Sequence, residues 1–311
     1  MHPHLDQALD FIYSHLKAFQ AREIQNAYEV LSDCYRNKGN TRNLTKESNI
    51  WSYLAARMPS TYAVLSECFG KIPKDFKPNS VLDLGAGPGT GALAALDLWP
   101  DIRTITNVEQ HPLMNKFAEQ LLTKPIDRIQ RDIVAFETTQ SYDLVILSYV
   151  LGELTQEQQL SVLEKALRAA RGFLVITTPG TPRDYQDLMT ARRFLIERGG
   201  HVLTPCPHQN ACPLEQTKDW CHFSVRVTRT KSHKMAKQAS LTFEDEKFSY
   251  LIVGKSKNHK NFERLIRKPI RKPGHVLLDV CTSAGIKREI ITKKQKDVYK
   301  IASKKEWGDT W

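Results

Sequence analysis

The stretch Val81-Leu82-Asp83-Leu84-Gly85-Ala86-Gly87-Pro88-Gly89-Thr90-Gly91 decides the fold. Val81 to Leu84 run straight into glycines at 85, 87, 89 and 91, so a buried parallel strand ends in a loop whose backbone can approach a ligand closely. A helix from about Ala92 then points its N-terminus at that ligand. A dinucleotide fingerprint would need Gly or Ala at the sixth position counted from Gly85, where Thr90 stands, so NAD is disfavoured. No Lys-Ser or Lys-Thr pair follows the glycines, which removes the main support for ATP. Further apolar runs follow at Ile105 to Val108, Ile129 to Asp132, Tyr142 to Leu147 and Gly172 to Thr177. Helical patterns at Pro112 to Leu122 and Gln156 to Ala170 separate them. This alternation predicts a doubly wound parallel sheet with its ligand outside the carboxyl ends of the strands.

The glycine loop resembles the first motif of S-adenosylmethionine-dependent methyltransferases, in which an acid such as Asp83 precedes the glycines and the loop packs against the methionine end of the cofactor. Asp83, Gly85, Ala86, Gly87 and Gly89 are the expected cofactor residues of this loop. Glu109 ends the second strand 24 residues after Gly85, where a carboxylate meets ribose hydroxyls. Asp132 would face the adenine amino group, and Ser148 or Tyr149, ending the fourth strand, would face an acceptor.

Upstream, Leu5, Leu9, Ile12, Leu16 and Phe19 recur at helical spacing, continued by Ile24, Tyr28, Leu31 and Tyr35. Asn37 to Ser48 reads as a loop, and Ile50 to Met58 and Tyr62 to Phe69 as two more helices. Cys34 and Cys68 fall beside these stripes as small core residues. Residues 1–78 are therefore expected to be a helical N-terminal region, 79–255 the sheet domain with a cysteine-rich insertion at 200–225, and 256–311 a basic C-terminal module. A helix from Tyr185 to Glu197 follows the fifth strand. Leu241 to Thr242 and Phe248 to Val253 read as antiparallel edge strands separated by Glu244 to Glu246. His275 to Val280 and Ile286 to Thr292 read as a small paired sheet, and Lys293 to Lys305 as a basic helix.

The chain of 311 residues is 41% hydrophobic, enough for a sizeable core, and no apolar run approaches a membrane span. The first 20 residues resemble neither a signal nor a transit peptide. Cytoplasm is the expected compartment, with a processed organelle protein as the alternative. Of the net charge of +11, residues 255–311 carry +10, as 16 Lys or Arg against 6 Asp or Glu. That concentration points to a polyanion, RNA or DNA before a membrane surface.

Cys206, Cys212 and Cys221 have five and eight residues between them, and Cys281 follows after 59 more. Three close thiols and one distant one make a plausible four-thiolate site for zinc or an iron–sulfur cluster. The spacings miss the pairs two to four apart that structural zinc draws, and Pro207 and Pro213 after two of the cysteines favour a cluster. His208 and His222 keep a Cys/His zinc site open.

The run from Arg57 to Ala63, the glycine loop, the segment Cys206 to Phe223, Tyr250 to Val253, Arg271 to Cys281 and the terminal Trp307-Gly308-Asp309 resemble, over residues 57 to 308, the methyltransferase-like family associated with the mitochondrial small ribosomal subunit and its bacterial relatives. The resemblance implies a [4Fe-4S] cluster on Cys206, Cys212, Cys221 and Cys281 and binding to small-subunit ribosomal RNA; zinc is the alternative metal, and off the ribosome the chain is expected to be a monomer. Two functional classes follow: an RNA methyltransferase, or an assembly factor that keeps the fold and performs no transfer. Ser148-Tyr149-Val150-Leu151 lacks the Asn or Asp followed by Pro-Pro and an aromatic that exocyclic-amine methyltransferases use, which weighs against the first; no catalytic residue is assigned.

Overall fold

The N-terminal stripes fold as helices because each has one apolar face to bury. In the computed structural model, which describes residues 2–36, 45–122, 124–256 and 262–311, α1 (Pro3–Leu16) buries Ala8, Ile12 and Leu16, and α2 (Ala21–Arg36) buries Ile24, Ala27 and Leu31. Most of the expected loop from Asn37 and the side chain of Cys34 lie outside the described residues. α3 (Glu47–Ala56) and α4 (Met58–Phe69) follow, and α4 starts with Pro59 in its first turn, where a missing N–H costs nothing. The start of α1 is tied down by Asp97, whose carboxylate accepts from His4 N at 2.9 Å and Tyr62 Oη at 2.6 Å.

β1 (Ser80–Leu84) leads into α5 (Thr90–Leu98), then β2 (Thr104–Val108), α6 (Pro112–Leu121), β3 (Asp127–Ile129) and β4 (Tyr142–Ser148). Trp51 of α3 stands edge-on to Phe117 of α6 with centroids 4.6 Å apart. The N-terminal helices therefore share one core with this face of the sheet. Leu144, Val145, Ile146 and Leu147 show no alternation because helices cover both faces, and each contributes about 1.5–3 kcal/mol by burial. A 3₁₀ turn (Leu151–Glu153) precedes α7 (Gln156–Ala169), which opens on a capping box of Thr155 and Gln158. Then come β5 (Ala170–Pro179), α8 (Pro182–Glu197), β6 (His201–Thr204), β7 (Phe223–Thr228), α9 (Lys231–Lys237) and β8 (Phe243–Gly254).

The sheet order is β3-β2-β1-β4-β5-β8-β6, with β7 also on β8. β1 to β5 are parallel, and β8 runs antiparallel to β5. The fold is thus an α/β Rossmann-like sheet with helices on both faces, as the alternation predicts. The third strand ends at Ile129, short of the expected Asp132. β8 is one continuous strand, without the break expected at Glu244 to Glu246. Its acids are accommodated by cross-strand partners: Arg226 of β7 faces Asp245, at 2.8 Å. The far half of β8 pairs with β6, so residues 205–222 must travel along the sheet edge between β6 and β7.

A second sheet contains β9 (Arg264–Leu265), β10 (Ile270–Lys272), β11 (His275–Thr282) and β12 (Gly285–Thr292). β11 alternates half-buried and buried residues along its length; Val276, Leu278 and Val280 form a small core with Leu265, Ile291 and Ala302. Among the described residues of the basic tail, the α-helix is confined to α10 (Lys296–Ala302), shorter than expected, because Lys296 takes a left-handed φ of 35° that separates it from the preceding 3₁₀ turn.

Candidate functional site

Gly85, Gly87 and Gly89 have φ of 75°, 54° and 84°, the left-handed conformation that favours glycine at each. A Cβ at Gly85 would lie 2.6 Å from Val150 Cγ2, so the loop is also sterically closed against the end of β4. Beside it, Glu109 holds the loop to β2: Oε2 accepts from Gly87 N at 2.9 Å and Oε1 from His111 N at 2.7 Å. Each oxygen keeps a lone pair for a ligand hydroxyl. Burial pushes the Glu109 carboxyl up, opposed by these two backbone donors.

Gly85, Gly87, Glu109, Asp132 and Ser148 line one cavity outside the carboxyl ends of β1, β2 and β4. Asp132 Oδ1 accepts from Val134 N at 2.9 Å, and Ser148 Oγ lies 2.9 Å from Thr177 Oγ1. Ala86, Gly89 and Asp83 do not line it. Ala86 O accepts from Gly89 N, closing the turn at 2.9 Å. Asp83 is buried beneath α5, where a Cβ at Gly91 would collide with its carboxylate. Tyr53 of α3, Met114, Arg131, Tyr149 and Glu153 are among the other residues that line it. Tyr53 and Glu153 escape the sequence reading, since neither belongs to a glycine-loop motif; Tyr53 arrives from a helix far upstream.

Burial, and secondarily the Glu109 charge, push the Asp83 carboxyl up to about 7. A raised folded-state pKa gives stability that is complete below the unfolded value, about 3.9, and is lost as pH rises through about 7. This group is therefore expected to cost the fold up to about 4 kcal/mol between pH 4 and 8. Urea unfolding of parent and Asp83→Asn across that range should show a shallower loss in the variant. Equal slopes would mean that Asp83 keeps the same charge folded and unfolded.

Cys206, Cys212, Cys221 and Cys281 line a second cavity, between α8, the 205–222 segment and β11. All four are free thiols. Cys212 Sγ lies 3.2 Å from Tyr185 Oη, and Cys281 Sγ lies 3.8 Å from His208 Nε2. Burial and the neighbouring thiols raise Cys281 to about 12 and Cys221 well above the ordinary value. Among the described residues, no three His, Cys, Asp or Glu side chains converge as the donors of a single metal ion.

Two guanidiniums stand at the same place. Arg192 is 2% exposed and Arg264 5% exposed. Arg192 donates to His208 O at 2.8 Å and interacts with Cys206. Arg264 donates to Pro205 O at 3.0 Å, Gly308 O at 2.6 Å and Thr204 Oγ1 at 3.1 Å. Among the described residues, neither has a carboxylate within ion-pair reach, although an isolated buried cation costs several kcal/mol. A four-thiolate metal centre carries the negative charge that would compensate them, so the donors and their surroundings fit such a group. The signal for Arg192 is legible in the sequence: it falls on the apolar stripe Tyr185, Leu188, Met189, Leu195 of α8, where a charge needs a buried partner.

The family profile described as mitochondrial small ribosomal subunit Rsm22 matches residues 47–311. Among curated proteins, the chain is similar to Rsm22-cox11 tandem protein 1, mitochondrial, of Schizosaccharomyces pombe, 26% identical over 86% of this chain and 44% of that one. It is also similar to the human ribosome assembly protein METTL17, mitochondrial, 26% identical over 83% of this chain and 61% of that one. The chain thus spans less than two thirds of the length of these relatives. Among solved structures, magnesium protoporphyrin IX methyltransferase from Synechocystis with bound SAH aligns at a TM-score of 0.43 and 12% identity, over 76% of this chain and 99% of that one. Since the Rsm22 profile takes in the glycine loop, all four clustered cysteines and the terminal strands together, the chain belongs to the Rsm22 family.

Proposed function

We propose that this chain is an assembly factor of the small ribosomal subunit that binds S-adenosylmethionine at the glycine loop, carries a [4Fe-4S] cluster on Cys206, Cys212, Cys221 and Cys281, and holds ribosomal RNA through its basic C-terminal module. The observation that carries the cofactor reading is Glu109, fixed by two backbone donors at the rim of the glycine-loop cavity with lone pairs left for ribose hydroxyls. When bound, S-adenosylmethionine would supply an electrophilic methyl group in this cavity, which Tyr149 and Glu153 also line. The cluster reading is supported by four thiols around one cavity that Arg264 also lines, with the buried Arg192 beside Cys206. Residues 1–78, 79–255 and 256–311 then divide the work into a helical support, a cofactor-binding sheet and an RNA-binding extension that returns Cys281 to the cluster.

Calorimetry tests the cofactor directly. Micromolar binding, about 8 kcal/mol, is expected for S-adenosylmethionine or its demethylated product. Gly87→Arg should abolish it: an added side chain there has only Tyr53 Oη near, at 3.8 Å, and so grows into the cavity while the fold stays. The left-handed φ adds about 1–2 kcal/mol of strain, too little to unfold the domain. Parent protein that gives no heat with either compound would reject the cofactor.

A further inference from the structure

A cavity of about 800 Å³ adjoins the glycine-loop cavity and has no assigned occupant. Tyr53, Tyr149 and Glu153 line both, so the two spaces meet at these three side chains. Tyr28 of α2 and the turn Pro179 to Asp184 form the outer walls. Three aromatic rings and two prolines around a space of this size suit a flat, partly polar ring system. Tyr149 takes a left-handed φ of 59°, a conformation that a non-glycine residue holds only when its surroundings enforce it, and such outliers collect at ligand sites. Its N–H donates to Thr177 O at 2.9 Å, and the Arg57 guanidinium stands 5.6 Å from its ring centroid.

The charges on the wall separate one occupant from others. Glu246 is paired with Arg57 at 3.3 Å, Asp245 with Arg226 at 2.8 Å, and Asp184 with Arg183 at 3.4 Å. These three acids are compensated within the protein, and Glu153 is the fourth acid on the wall. Lys247 is exposed and has no ion-pair partner among the described residues, so the rim keeps a cation for a phosphate. We infer that this cavity receives a single unpaired nucleobase of an RNA strand, its ring among Tyr28, Tyr53 and Tyr149 and its phosphate near Lys247. A base cannot be reached inside a duplex, so the strand must present it extruded or already single-stranded. The inference rests on the reading of the neighbouring cavity as the methyl-donor site, because that reading makes an inserted base an acceptor and not merely an anchor.

The test uses the full chain and a 12-nucleotide oligouridylate with one central 4-thiouridine. After ultraviolet crosslinking, mass spectrometry should place adducts on peptides containing Tyr28, Tyr53 or Tyr149 to Glu153. Ser32→Trp, which enters the cavity from α2, should lower those adducts at least tenfold while total RNA affinity falls less than threefold. Tyr28→Ala touches this cavity and not the glycine-loop cavity, and serves as a second variant with a normal thermal melt. It should lower the adducts similarly and leave S-adenosylmethionine binding unchanged. Adducts confined to residues 255–311, or adducts unaffected by both variants, overturn the base site while leaving the RNA-binding tail intact. Cavity adducts in a protein that binds no S-adenosylmethionine would uphold the base site and overturn the donor reading.

Discussion

Protein purified without oxygen is expected to be brown and to contain about four irons and four sulfides per chain, and Cys221→Ser to lose both colour and iron. Cys221 sits where the 205–222 segment returns to the sheet, and its carbonyl accepts from Ser249 Oγ at 2.9 Å. Removing its sulfur unties the segment from Cys281 on β11, so solubility should fall with the colour. The arginines give the same hypothesis an opposite-signed test. In metal-free protein, Arg192 is a buried cation without a counter-charge, so Arg192→Met should stabilise the apo form by about 1–4 kcal/mol. In the loaded protein the same change removes a compensating charge, and iron should be lost faster to a chelator. A variant that is equally stable without metal and equally retentive with it would remove the electrostatic argument. Stoichiometric zinc without iron, from cells grown anaerobically with ample iron, would reject the cluster itself.

How far the sequence can be read follows from where each signal is local. The glycine pattern is local, because three left-handed residues in five need glycine whatever surrounds them. Strand β4 is local for the same kind of reason: four consecutive apolar residues announce two covered faces. β7 escapes the pattern although Val225 and Val227 alternate with Ser224 and Arg226, and the acidic start of β8 reads as a break. Both errors have one cause, since the Arg226 to Asp245 pairing that makes an acidic strand tolerable exists only after the two strands meet. The site divides likewise. Glu109 and Asp132 follow strand ends and are found by counting, whereas Tyr53 reaches the cavity from α3 and Arg264 lies on a two-residue strand. Asp83 shows the limit of analogy: it precedes the glycines as the motif requires, yet it is packed under α5 and meets the cavity only through Glu109, whose charge helps to raise its carboxyl.

Replacing Lys293, Lys294, Lys296, Lys304 and Lys305 with Gln is expected to weaken binding to small-subunit ribosomal RNA by about 10²–10³ at moderate salt, if three or four of the five meet phosphates. None of the five has an ion-pair partner among the described residues, and all but the half-buried Lys305 are exposed, so their charge is available to a polyanion. Truncation would not isolate this effect. Cys281 lies on β11, paired with Ile286 of β12 and Arg264 of β9, so cutting the tail at Gly274 removes a thiol and a core strand together with the charge. The lysines lie beyond β12, in the 3₁₀ turn, at the start of α10 and just after it, where a change to Gln leaves Val276, Leu278, Val280 and Ile291 packed. The variant should therefore keep its colour and its S-adenosylmethionine affinity. Its dependence of log affinity on log salt should become shallower by about 0.9 for each phosphate that is no longer neutralised. The slope is the stricter measure, because a misfolded module would lose affinity without keeping its colour, and a weakened base site would lower affinity with the slope unchanged. An affinity and slope equal to the parent's would make these lysines a solvated surface and move the RNA interface to Lys247 and the neighbouring cavity rim.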